Sequence, residues 1–115
     1  MQVKPKIFTL AEARAVLPRL REITERMNGE IEEARGGLLL GAGPSEREEI
    51  ERQIEAIVRV WADAVASFGA EPKGVGLVDF DSGDGYYWCW KWPETSLEHL
   101  HGYDEGYGGR RRIDA

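Results

Sequence analysis

Residues 45–68 read SEREEIERQIEAIVRVWADAVASF. Within them Ile50, Ile54, Ile57, Trp61, Ala64 and Phe68 recur at alternating steps of four and three, which an α-helix presents as one narrow apolar stripe. A stripe that narrow is buried by a single partner helix. Upstream, Leu10, Ala13, Leu17, Leu20, Thr24, Met27, Ile31 and Ala34 keep the same spacing with one polar interruption. Folding the two segments antiparallel about the glycines near residue 40 sets Leu10 against Phe68, Leu17 against Trp61, Leu20 against Ile57 and Met27 against Ile50. The seams predict an antiparallel coiled-coil hairpin over residues 9–69.

Local signals place the ends of these helices. Thr9 followed three residues later by Glu12 is a capping-box pattern, so the first helix starts at Leu10 and runs to about residue 35. Pro18 removes a backbone donor inside it and predicts a kink, and Asn28-Gly29 is a second weak point. Residues 36–44 form the turn, and Leu38, Leu39 and Leu40 at its tip are either folded onto the seam or exposed as an oligomer contact. Ser45 with Glu48 forms a second capping pattern, and Gly69 is placed to end the second helix.

Val16 and Ile23 widen the first stripe, and Val58 and Val65 widen the second. In an antiparallel pair both wide halves lie at the same end, where a third layer must cover them. The remaining residues, 75–115, supply it. Val75 to Phe80 and Tyr86 to Trp92 read as two strands joined by the turn Asp81-Ser-Gly-Asp-Gly85, with Leu97 to His101 as a third extended segment. Alternation puts Tyr86, Trp88, Trp90 and Trp92 on one face and Tyr87, Cys89 and Lys91 on the other. The expected fold is therefore α+β, a single domain over 1–115, with the hairpin packed at one end on an antiparallel sheet of two or three strands.

A net charge of −6 argues against binding to nucleic acid or to an anionic membrane. No apolar run reaches membrane-spanning length and no leader pattern opens the chain, so a cytoplasmic protein is expected. Cys89 is the single cysteine, which leaves no intramolecular disulfide and no cysteine-based zinc knuckle.

Candidate sites lie in the last third. The tryptophan row suits stacking on a ligand, but it also suits packing on the wide helical face, which is the simpler use. Leu97, His99 and His101 alternate onto one strand face, and two histidines so placed suit one divalent transition metal, with Asp104, Glu105 or Glu98 as a further ligand. Asp79, Asp81 and Asp84 miss the spacing of a calcium loop. Arg110 to Arg112 suit an anion clamp or, more economically, one arginine folded back onto Asp79, Asp104 or Glu105. No serine elbow, phosphate loop or dinucleotide fingerprint is present, which leaves enzymatic activity open and weighs against it.

Gly76-Leu77-Val78-Asp79-Phe80, Cys89-Trp90-Lys91, Glu94, His101 and Gly106-Tyr107-Gly108-Gly109-Arg110 resemble an uncharacterised bacterial family, a domain of unknown function. Phe8-Thr9-Leu10 and Leu17-Pro18-Arg19-Leu20 resemble its N-terminal signature. Leu100 replaces the family's tryptophan before the histidine, and Tyr107 its usual phenylalanine. The resemblance implies two helices before the GLVDF-like strand and implies no accepted activity. It directs attention to Asp79, His101 and Arg110 as a polar cluster beside Trp90, with Gly106 among the matching positions.

Two functional expectations follow. The first is a non-enzymatic interaction protein without a cofactor that forms a homodimer through its helical hairpin. The second is a metal- or small-anion-binding module, with hydrolysis as an extension, centred on His101 and Arg110.

Overall fold

The computed structural model describes residues 6–37, 41 and 43–113. Helix α1 (Leu10–Gly36) opens with the expected box, in which the Thr9 hydroxyl accepts from the Glu12 amide at 3.1 Å and the Glu12 carboxylate accepts from the Thr9 amide at 2.9 Å. The Thr9 amide first, and then the Thr9 hydroxyl beside the same carboxylate, hold the exposed Glu12 carboxyl below the usual range. The helix continues through Pro18 and Asn28-Gly29 and buries Ala13, Leu17, Leu20, Thr24, Met27 and Ile31, the stripe expected from spacing. Helix α2 (Pro44–Ser67) begins one residue before Ser45. Pro44, whose missing donor costs nothing in a first turn, takes the lead position, and Glu46 accepts from the Gly43 amide at 3.3 Å. Gly69, at φ +87°, ends the helix, its amide donating to the Ala66 carbonyl at 2.9 Å.

The helices pair antiparallel, but slipped by about one heptad from the register that the seams suggest. Trp61 meets Thr24 rather than Leu17, its indole donating to the Thr24 hydroxyl at 2.8 Å. Ile57 and Trp61 line one recess with Ile23 and Met27, and Ile50 reaches the backbone at Gly37. A seven-residue slip keeps the two stripes facing each other wherever the helices overlap, so stripe spacing alone does not choose between the registers. A polar pair marks the one adopted. Buried Thr24 donates to the Leu20 carbonyl at 2.6 Å and accepts from Trp61, so the residue that interrupts the stripe satisfies the one polar atom of its bulkiest member.

The slip carries the first turns of α1 past the end of α2 and onto the sheet, where the Arg14 guanidinium donates to the Leu97 carbonyl at 3.0 Å. The sheet has five strands in sequence order, all antiparallel: β1 (Glu71–Gly74), β2 (Leu77–Asp81), β3 (Tyr86–Lys91), β4 (His99–Gly102) and β5 (Arg111–Arg112). Two or three strands were expected. The additional ones are the edges, Glu-Pro-Lys-Gly and Arg-Arg, which carry no apolar alternation because an edge is held by backbone pairing to one neighbour.

Facing the helices are Val78, Phe80 and Trp90, all fully buried, with Trp88 and Trp92 packed around them. Phe8 joins them from the lead-in, edge-on to Phe80 at 5.1 Å, and its carbonyl accepts from the Trp88 indole at 3.0 Å. The tryptophan row thus packs as the wide helical face required. Leu97 precedes β4 and belongs to this core, so it does not share a face with His99 and His101.

Candidate functional site

Strand pairing sets the outer face. Asp79 lies opposite Cys89, Cys89 opposite His99, and Tyr87 opposite His101, so these five side chains project from the same side of β2, β3 and β4. Asp79, Cys89 and His101 are fully buried although no helix covers them. His101 Nε2 stands 3.0 Å from both Asp79 carboxylate oxygens, and its Nδ1 stands 2.9 Å from the Gly102 carbonyl. A carbonyl only accepts, so Nδ1 carries a hydrogen, and Nε2 then faces a carboxylate across a gap that must hold a second positive centre. A shared proton satisfies it. Cys89 lies against the same carboxylate: burial first, and then the Asp79 charge, push its thiol up to about 12, which removes it as a nucleophile at neutral pH.

The roof is the segment after β4. Glu105 accepts from the Gly102 amide at 2.7 Å and from Arg111 at 3.0 Å, and these bonds hold its carboxyl below the usual range, the backbone one contributing most. Gly109 is required here, since a Cβ on it would lie 2.7 Å from the Glu105 Cβ. Between roof and sheet is a cavity of about 260 Å³, lined by Lys73, Leu77, Asp79, Tyr87, His101, Tyr103 and residues 105–107. The Tyr87 ring is tilted on His101 at 5.5 Å and on Tyr103 at 5.0 Å. Lys73 places its ammonium 4.5 Å from the centre of the Tyr87 ring and 3.3 Å from Glu71. Burial alone would lower the Lys73 pKa, but the Glu71 partnership outweighs it and the value is raised.

Of the three arginines, Arg111 is the one that folds back onto Glu105, as expected of one of them, while Arg110 takes a different partner. Its guanidinium donates to both Glu94 oxygens, at 2.7 and 2.8 Å, and to the Cys89 carbonyl at 3.3 Å, while stacking on Tyr107 at 4.8 Å. Glu94 also accepts from the Lys91 amide at 2.8 Å, and its carbonyl accepts from the Trp90 indole at 2.9 Å. The four-residue cluster therefore divides. Asp79 and His101 touch directly, whereas Trp90 lies in the core on the opposite face and joins Arg110 only through Glu94. Glu94 is the hub; it stands among the positions that carry the family resemblance, but nothing in its local sequence names Arg110 as its partner.

The set His99, His101, Asp104 and Glu105 is not brought together. His99 turns its Nδ1 toward Glu94 at 3.6 Å, His101 is held by Asp79, Glu105 is bonded into the roof, and Asp104 is exposed. The group that does converge is Asp79, Cys89 and His101, whose ligand atoms all lie within 4.8 Å of one another. Cys89 is easily passed over as a ligand because zinc patterns are read from paired cysteines; the available signal was its alternation with Asp79 on adjacent strands. Leu38, Leu39 and Leu40 lie outside the described residues.

Fold and site together define an α+β protein: a helical hairpin on an antiparallel meander, whose outer face buries polar groups under the chain's own C-terminal segment. The chain belongs to the uncharacterized conserved protein family DUF2203, whose model matches residues 6–113. No curated protein and no solved structure matches it. Among the described residues no helix is long and apolar enough to cross a membrane.

Proposed function

We propose that this chain is a non-enzymatic binding module that takes a small polar ligand into the cavity between the outer sheet face and the C-terminal roof. The observation that carries this reading is the cavity itself, about 260 Å³ over a buried Asp79–His101 floor. Buried polar groups are costly unless they are fully partnered, and a network serving only to lock the tail gains nothing from an open volume beside it. Arg110 is no anion clamp, because Glu94 already neutralises it. The groups left to a ligand are the Tyr87 ring and the edge of the Asp79–His101 pair, beside the Lys73–Glu71 ion pair and the Tyr107 ring that stacks on Arg110.

The test is native mass spectrometry of the purified chain, followed by thermal unfolding with small neutral, anionic and cationic compounds. A ligand at one hundred times its dissociation constant adds about 2.7 kcal/mol. Tyr87→Leu, which removes the ring, should reduce that gain without changing the unliganded midpoint by more than a few degrees. A ligand-free mass together with no stabilisation by any compound class overturns the reading.

Self-association through the helical hairpin is a second reading, supported by the outer side of α2. An open groove of about 550 Å³ runs along Ile54, Val58 and Val75, flanked by Glu55 and Arg59. Opposite charges four residues apart match themselves when a second copy packs antiparallel. In sedimentation velocity the wild type should then run as a dimer and Val58→Glu as a monomer. Serine at Leu38, Leu39 and Leu40 tests the tip in the same assay. A monomeric wild type overturns this reading.

A further inference from the structure

We infer that Asp79, Cys89 and His101 form a binding site for a zinc-class divalent metal, with the fourth coordination position open to the cavity. The three residues offer one carboxylate oxygen, one sulfur and one ring nitrogen, a borderline-soft set that suits zinc or cobalt over magnesium or calcium. Their spacing fits. Tetrahedral zinc with bonds of about 2.0–2.3 Å separates its ligand atoms by about 3.3–3.8 Å. Here the His101–Asp79 separation is 3.0 Å and no pair exceeds 4.8 Å, so side-chain adjustments of about an ångström close the shell.

Two further observations point to a cation. His101 Nδ1 is pinned by the Gly102 carbonyl at 2.9 Å, the outer hydrogen bond that fixes the tautomer of a metal-ligating imidazole and aims the other nitrogen's lone pair. That lone pair is aimed at a carboxylate, so two acceptors face each other across 3.0 Å and require a positive centre between them. A proton fills the gap with two partners. A divalent metal fills it with three, and gives the otherwise inert buried thiol a role. On binding, the Cys89 S–H bond breaks, the sulfur bonds the metal, and the thiol proton and the proton shared by His101 and Asp79 pass to water. The site has no surplus charge, because one thiolate and one carboxylate balance a divalent ion. Asp79 and His101 both line the cavity, so the remaining position is reached from it, by water or by a donor atom of the small ligand.

The open fourth position rests on the cavity reading; the three-ligand site does not. The test uses the full chain, stripped with a chelator and titrated with cobalt(II) under reducing conditions. The expected result is a one-to-one complex with a thiolate-to-cobalt charge-transfer band in the near ultraviolet and intense visible bands of tetrahedral type, both abolished by one equivalent of zinc. Cys89→Ser should lose the charge-transfer band and bind zinc at least tenfold more weakly, while circular dichroism stays that of the wild type. Asp79→Asn, which keeps the shape of the floor, should weaken zinc by a similar factor. A folded wild-type chain showing no charge-transfer band at millimolar cobalt overturns the site, as does a band that survives Cys89→Ser. The cavity reading is scored separately, by stabilisation of the metal-stripped protein with small compounds and its loss in Tyr87→Leu. Metal without compound binding leaves the metal site and removes the cavity ligand, and the reverse result does the opposite.

Discussion

The two faces of the sheet are cut from the same strands and differ by one residue of phase, yet each is buried in its own way. Val78, Phe80 and Trp90 turn toward the helices, and Asp79, Cys89 and His101 turn away, all of them buried. On the helix side burial is a matter of area: apolar surface from two helices and the lead-in covers apolar surface of the strands. On the outer side area is not enough. Each polar atom there needs a partner: Asp79 and His101 bond to each other and His101 to the Gly102 carbonyl, beneath a short roof held to the sheet by Glu105 on the Gly102 amide and by Arg110 on Glu94. A face buried by shape tolerates rearrangement, whereas a face buried by hydrogen bonds depends on each of them.

Four substitutions and one pH series would break or sharpen that contrast. Trp90→Ala empties the centre of the helix-side core and strands the Glu94 carbonyl, so urea unfolding should show a loss of about 3–5 kcal/mol. His101→Ala leaves the buried Asp79 carboxylate without its partner and should cost about 3 kcal/mol. A loss below 1 kcal/mol would mean that the outer face relaxes as freely as the inner one, and the contrast would fall. Thr24→Val keeps the volume at the helix seam but leaves the Trp61 indole unsatisfied, for a loss of about 2 kcal/mol. A spin-label distance across the hairpin would report whether the seam then slips by a heptad. Arg52→Ala removes an exposed pair with Glu49, 2.8 Å apart, on the narrow part of α2, and should change stability by no more than about 0.3 kcal/mol.

The pH series isolates Cys89. Its thiol titrates near 9 in the ordinary case and near 12 when buried against Asp79, so the folded state favours the protonated form. The resulting stabilisation is complete below pH 9 and is lost as pH rises from 9 toward 12. Urea midpoints should therefore fall more steeply over that window for the wild type than for Cys89→Ala. Parallel curves would show that the thiol is better solvated than its position implies.

Much of this was legible from residue order. Helix α1 is announced by Thr9 and Glu12 and by its stripe, β3 by its alternating aromatics, and the end of α2 by Gly69. The edge strands were hidden because Glu71–Gly74 and Arg111–Arg112 hold no side-chain pattern, only backbone groups in search of a neighbour. The polar site was half legible. Asp79, His101 and Arg110 stand out in the sequence, but the partner of Arg110 is Glu94 and the companion of the buried pair is Cys89.

The sequence by itself determined two amphipathic helices, a strand hairpin carrying tryptophan on one face, and an acidic chain with a single cysteine, because each of these follows from short-range spacing or from composition. The tertiary structure alone decided the register of the helices and the membership of the polar cluster. Heptad seams face each other again after a slip of seven, so the alignment rests on contacts distant in sequence, among them the hydrogen bond between Thr24 and Trp61 and the seating of the first turns of α1 on the sheet. The cluster joins strands 22 residues apart in the case of Asp79 and His101, and only the pairing of β2, β3 and β4 sets which of their residues stand side by side.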